Sequence, residues 1–241
     1  MGRVDVTKRI KCAVTLFALM LGGCASQEGV NDPLEPVNRE IFAFNHTLDK
    51  HAAVPAASYY KSAMPEDVRD GVHNFLSNLS EPVTFANDVL QGEATRAGYS
   101  ICRFGVNTTI GVIGIMDPAT GMGCPGHSED FGQTLGTYGV PGGPYLVLPL
   151  LGSSQSRDAA GKIFVDHFFN PLGYVAYRGK LYVSLSESFL STVDQRSRAV
   201  NSLRDIERRS IDYYATMRSA YLQKRDNEIN NRDVAPDPPK Q

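Results

Sequence analysis

The chain has 241 residues, with 24 Lys and Arg against 26 Asp and Glu, a formal net charge of -2 and a hydrophobic share of 42%. That balance, with no polybasic stretch, excludes a nucleic-acid binder, and the modest hydrophobic share excludes a multi-span membrane protein. Residues 24–241 number 218, enough for one large domain or two small ones.

The amino-terminal segment carries Arg3, Lys8, Arg9 and Lys11, then an apolar run over residues 12–21, then Leu21, Gly22, Gly23 and Cys24. A basic start, a short apolar run and small residues before a cysteine are the layout of a bacterial lipoprotein signal. The run is about half the ~20 apolar residues of a membrane span. Cleavage after residue 23 would leave Cys24 at the new amino terminus, its thiol free to take a diacylglyceryl group. Three acyl chains exceed the two signals that stable anchoring needs. Ala25, rather than an aspartate, follows the cysteine and points to the outer membrane instead of retention at the inner one. The expectation is a lipid-anchored protein on the periplasmic face of the outer membrane.

A polar leader over residues 24–31 precedes a helical domain expected over residues 32–226. Val37, Ile41, Phe44 and Leu48 recur at helical spacing after Asp32, Pro33, Leu34, Glu35 and Pro36. Met64, Pro65, Glu66 and Asp67 signal a second start, with Val68, Val72, Phe75, Leu76 and Leu79 on one side. Glu81 and Pro82 read as the opening of a third, short helix ending near Gln91. Residues 94–116 are the most apolar stretch beyond Cys24, interrupted by Arg96, Arg103, Asn107, Thr108 and Thr109. Gly98, Cys102, Gly105 and Thr109 share one face there, suited to a close helix or acyl chain, although core packing explains the same pattern.

Glycine and proline crowd residues 117–144, with a helix-like piece opening at Ser128, Glu129 and Asp130. Gly139, Val140, Pro141, Gly142, Gly143 and Pro144 form an irregular loop whose glycines are candidate flexible positions. The apolar run over 145–151 is too brief to assign to helix or strand. Helical pattern returns over 157–168 and over 184–225, the latter as one helix or as two with a break. Arg196 and Arg218 lie near its apolar stripe; either their heads reach solvent or they meet lipid phosphates. Residues 227–241 read as a disordered polar tail.

Chemistry of the catalytic kind is hard to find. Gly152, Ser153 and Ser154 lack the second glycine of a nucleophile elbow, and Ser156, Asp158 and His167 make a triad only by assuming a geometry. Cys102 and Cys124 remain as thiols in an oxidising compartment and are chemically free to pair. Two buried free cysteines, or a metal held by Cys124 and His127, are the other readings, but no second ligand pair stands at zinc spacing.

Several stretches taken together resemble the MlaA family, also called VacJ. They are Asp32, Pro33, Leu34, Glu35 with Asn38 and Arg39; Phe42, Ala43, Phe44, Asn45; and residues 74–82 with Leu90, Gln91 and Gly92. Residues 103–111, Asp117, Pro118 and Ala119 follow, then Glu129, Asp130, Phe131, Gly132, Gln133, Thr134, Leu135 and Gly136. Gly139, Val140, residues 143–149, Arg157 and Asp158 complete the ordered set. The resemblance implies an all-α, mainly helical, ring-like single domain of amphipathic helices with a glycine- and proline-rich loop region and a central amphipathic channel. It implies no cofactor and no nucleotide site. It further implies a protein that removes phospholipids from the outer leaflet of the outer membrane, beside a trimeric porin, and passes them to a soluble periplasmic carrier. Candidate channel or loop positions are then Gly98, Gly105, Thr109, Gly139, Gly142, Gly143, Arg196 and Arg218. The alternative is a structural lipoprotein that scaffolds a porin complex without conducting lipid.

Overall fold

The computed structural model describes residues 32–166 and 180–231; the expected signal peptide, Cys24, the leader and His167 lie outside them. Its helices are α1 (Glu35–Leu48), α2 (Val54–Ala63), α3 (Glu66–Gln91), α4 (Ala94–Thr109), a single turn α5 (Pro118–Gly121), α6 (Phe131–Thr137), α7 (Ser156–Gly161), α8 (Lys180–Arg209) and α9 (Tyr213–Ile229). An antiparallel hairpin, β1 (Tyr145–Leu148) and β2 (Gly152–Gln155), sets Tyr145 opposite Gln155 and Leu148 opposite Gly152. The expected mainly helical domain is therefore present, and the short apolar run after Pro144 is a strand.

Local chemistry explains most boundaries, and three differ from expectation. Pro36 stands in the first turn of α1, where its missing N–H is no loss, and Glu35 sits at the positive end. A π-helical turn, Asp49–Ala53, carries α1 on into α2. α3 does not restart at Glu81 and Pro82 but runs unbroken through the proline. Glu81 is buried there and bonded to Arg103 of α4 at 2.7 Å, so helix-to-helix packing overrides the local break. α6 opens at Phe131, not Ser128, because the Asp130 carboxylate accepts the Gln133 N–H at 2.9 Å and caps it. The carboxyl-terminal segment breaks between α8 and α9, where Asp212 caps the new helix by accepting from Ala215 N at 3.1 Å. α9 then continues past residue 226 to Ile229, because Arg225 ties its last turn to Asp130 and Glu228.

The beginning and end of the described chain are welded together. Arg218 donates to Asp32 and Glu35 at 2.5 and 3.0 Å, Tyr214 donates to Asp32 at 2.6 Å, and Arg39 meets Asp212 at 2.6 Å. Asn38 and Asn45, two turns apart on α1, complete the open edge of β1. Asn38 donates to Tyr145 O and accepts from Val147 N, while Asn45 donates to Leu148 O and accepts from Leu150 N, all at 2.9–3.0 Å. Tyr145, Val147 and Tyr214 then form the small apolar core, covered by Ile41, Phe42, Tyr221 and Leu222.

The Arg39 guanidinium and the Ala215 N–H hold the Asp212 carboxyl down to about 2. A carboxyl with a depressed folded value stabilises above its ordinary value and loses that contribution as pH falls through the folded one. Asp212→Asn keeps the helix cap and removes the charge. The melting-temperature gap between wild type and Asp212→Asn should be full at pH 7 and close as pH drops from about 4 to about 2. A gap independent of pH would assign the joint to something other than this pair.

Burial is inverted relative to a water-soluble protein. Among the described residues the buried hydrophobic side chains are alanines, valines and tyrosines, with no Leu, Ile, Phe or Met. Buried polar and charged residues outnumber them, 18 to 10, while 27 large hydrophobic residues are exposed. In α4 the buried face is Ala97, Ser100, Arg103 and Asn107, and the outward face carries Ile101 and Phe104. Residues 104–116 contain no charged side chain, and this stretch ends in an apolar knuckle where Ile113 is 63% exposed. Leu151, at the hairpin tip, is 73% exposed. No described helix is long and apolar enough to cross a membrane.

Candidate functional site

Two cavities open among the helices, of about 500 and 390 Å³. Ser80, Thr84, Ser128 and Gln195 line both, so the two adjoin. On α3, His73, Ser77, Ser80 and Thr84 recur at three- and four-residue spacing and present a polar stripe to this space. α8 contributes Ser191, Asp194 and Gln195, the segment before α6 contributes Gly126, His127 and Ser128, and α9 contributes Lys224 and Arg225.

The walls are held by buried ion pairs. Arg103 binds Glu81 at 2.7 Å, Asp117 at 3.1 Å, Thr120 Oγ at 2.9 Å and the Cys124 carbonyl at 3.2 Å. Burial pushes the Glu81 carboxyl up, with Arg103 opposing. Arg96 and Gln91 donate to Glu129 at 2.6 and 2.8 Å, and burial again raises that carboxyl. Burial also acts upward on Asp130, but Arg225, at 2.5 Å, outweighs it and holds Asp130 below the usual range. Asp88 collects His127 Nε2 at 2.9 Å and the Ser100 hydroxyl at 2.7 Å. Ser100 donates to the carboxylate and touches the same imidazole nitrogen, so these three do not form a nucleophile–base relay. Ser156 Oγ donates to the Pro144 carbonyl, and Asp158 is taken by Arg157, Tyr221 and Arg225.

None of the eight candidate channel or loop positions lines either cavity. Gly98, Gly105 and Thr109 lie on the outward face of α4, where a side chain at either glycine would meet nothing. The small-residue stripe therefore does not pack on another described helix. Arg196 is bonded to Asp49 at 2.7 and 2.8 Å and Arg218 to Asp32 and Glu35, so neither is free to hold a lipid phosphate. Gly139 has φ +81° with open space around it. Gly142 and Gly143 are packed, not free: a Cβ at Gly142 would lie 2.4 Å from the Gln155 side chain. Gly143, at φ +73°, would bring one within 2.5 Å of Ser156 Oγ. Cys102 and Cys124 are joined by a disulfide, their Cα atoms 6.4 Å apart, which ties α4 to the segment bearing His127. Cys124 is thereby removed as a metal ligand, and His127 faces Asp88.

Ser77, Ser80, Glu81, Arg103, Glu129, Asp130 and Gln133 fall within the stretches that carry the family resemblance, but the sequence reading assigned neither them nor Thr84, Ser191 and Gln195 to a cavity. The three- and four-residue recurrence of polar residues along α3 was the available signal.

Amphipathic helices with apolar sides outward and a polar, ion-paired cavity inside define a protein built for a lipid surrounding. A family model described as MlaA lipoprotein matches residues 30–228, and the chain belongs to that family. Among its relatives is the intermembrane phospholipid transport system lipoprotein MlaA of Escherichia coli strain K12, 35% identical over 233 residues, 93% of this chain and 90% of that protein. The Haemophilus influenzae protein of the same description is 31% identical over 93% of this chain and 92% of its own length. A solved chain from work on the "structural basis for maintenance of bacterial outer membrane lipid asymmetry" superposes with a TM-score of 0.74 at 34% identity, covering 83% of this chain and 99% of that one.

Proposed function

We propose that this protein is the outer-membrane lipoprotein of an intermembrane phospholipid transport system, and that it removes phospholipids from the outer leaflet through its central cavities. The observation that carries the reading is the inversion of burial around a polar interior. A bare charged head crossing hydrocarbon costs many kcal/mol, whereas a polar wall bounded by apolar helices offers hydrogen bonds along the way while the exterior stays in lipid. The exposed knuckle over residues 110–116 and the hairpin tip at Leu150 and Leu151 suit immersion in one leaflet, since no described helix spans two. Acyl chains on Cys24 hold the domain at the periplasmic face. A trimeric porin seats it, and a soluble periplasmic carrier receives the lipid.

Deletion of the protein should raise outer-leaflet phospholipid and make cells sensitive to detergent and chelator. Cys24→Ala should leave an unprocessed precursor absent from the outer-membrane fraction, with the same rise in surface phospholipid. A Cys24→Ala protein that matures to the same size and fractionates with the porins would refute the anchoring.

A further inference from the structure

The knuckle that follows α4 is built from residues poorly suited to its shape. Val112 and Ile113 stand side by side at φ +55° and +59°, in the left-handed region that glycine fills easily and β-branched residues rarely enter. Each such residue moves the folding equilibrium about tenfold against the fold. Packing on α3 holds the conformation in place. Asn74 donates to the Ile115 carbonyl at 3.2 Å, and Asn78 donates to Thr108 Oγ1 at 3.0 Å. The Ile115 side chain lies so near Gly71 of α3 that a Cβ there would stand 3.1 Å from it.

Nothing inside the domain uses the two strained side chains. Val112 and Ile113 are 53% and 63% exposed, and Ile110, Ile115 and Met116 around them are exposed as well. The segment also offers a partner almost nothing polar. Residues 110–116 contain no charged, hydroxyl or amide side chain. The N–H groups of Ile110, Gly111, Ile113, Gly114, Ile115 and Met116 all donate to carbonyls of residues 106–112 at 2.7–3.3 Å. A protein interface carries about one hydrogen bond per 100–200 Å², for which this surface has few donors left. Hydrocarbon demands the reverse, that backbone donors be satisfied internally. Burying the exposed half of a Val or Ile side chain there is worth roughly tenfold, enough to offset the left-handed backbone of the same residue.

We propose that residues 110–116 are a wedge for acyl chains, in which the strained backbone at Val112 and Ile113 sets both side chains into the hydrocarbon of the leaflet and their burial there offsets the strain. This inference rests on the reading that the domain lies in a leaflet, and the experiment separates the two.

Full-length lipidated protein is labelled with a small fluorophore at Ile113→Cys or, separately, at Ile101→Cys on the outward face of α4; Cys102 and Cys124 are paired and take no label. In vesicles of phosphatidylethanolamine and phosphatidylglycerol, lipids brominated in the acyl chains should quench the label at residue 113 several-fold more than aqueous iodide does. Strain is read from two double variants, Val112→Gly with Ile113→Gly and Val112→Ala with Ile113→Ala, unfolded by denaturant in the same vesicles. Alanine keeps the left-handed cost and glycine does not, so the folding equilibrium of the glycine pair should exceed that of the alanine pair about a hundredfold. At ordinary positions the order reverses, because glycine loses more backbone freedom on folding. A label at residue 113 reached by iodide, or shielded from iodide and bromine alike, would overturn the wedge, and so would an alanine pair as stable as the glycine pair. Quenching by bromine at residue 101 in that event leaves the leaflet reading standing without the wedge. If neither label meets bromine, the leaflet reading falls and the wedge with it.

Discussion

Ser80→Trp and Gln195→Trp should each raise outer-leaflet phospholipid to the level of cells lacking the protein, while folded, membrane-bound protein accumulates as usual. Both positions line both cavities, so an indole at either narrows the route proposed for the head group. Both are exposed, so the added volume enters open space and not a packed core, and the effect on stability stays within about 0.5 kcal/mol. The combination of normal abundance and lost lipid asymmetry is what distinguishes a conduit from a scaffold. Normal asymmetry in both variants would favour a scaffold that conducts nothing. Surface phospholipid is read by the acylation of lipopolysaccharide or by enzymatic labelling of intact cells.

Arg103→Leu has the opposite signature, loss of the protein itself. The guanidinium is the hub that joins α3, α4, α5 and the segment after the disulfide, through Glu81, Asp117, Thr120 and the Cys124 carbonyl. Removing it strands two carboxylates in a low-dielectric wall, a loss of about 3–5 kcal/mol. That is comparable to the whole stability of many domains. Burial already pushes Glu81 up against the pull of Arg103, so without that partner the carboxyl protonates more readily still. The variant should regain some stability as pH falls, because protonated Glu81 no longer needs a cation. Arg103→Lys keeps the charge but not the fork of donors, and should fall between the two. Thermal melts in detergent at several pH values check this; an Arg103→Leu protein as stable as wild type would mean the network contributes nothing.

Helix positions were legible in the sequence because apolar residues recur every three or four places, and that period survives whatever surrounds the protein. Which face turns inward was not legible. Ile101 and Phe104 look like core in an aqueous reading and lie on the outside here, while Ser100, Arg103 and Asn107 lie within. Periodicity reports that a helix has two unlike faces; it does not say whether the solvent is water or lipid. Pro82 misled for a related reason, since local propensity is a weak prior beside the packing of Glu81 on Arg103. Arg196 and Arg218 were read as reaching either solvent or lipid phosphates, and both are instead paired within the domain. Their carboxylates, Asp49 and Asp32, lie 147 and 186 residues away, and only the fold brings them together. The resemblance located the family and the mainly helical architecture and included Ser80, Glu81, Arg103 and Gln133 among its motif residues, but only the fold shows that they line a cavity together with Thr84 and Gln195.

The most direct test of the central claim is photocrosslinking in living cells from Ser80, which lines both cavities, compared with Ile101 on the outward face of α4. If lipid passes through the polar interior, a photoreactive residue at Ser80 captures phospholipid. Capture from the outward Ile101 but not from Ser80, in protein that is folded and correctly located, would contradict the account by placing lipid around the domain and none within it.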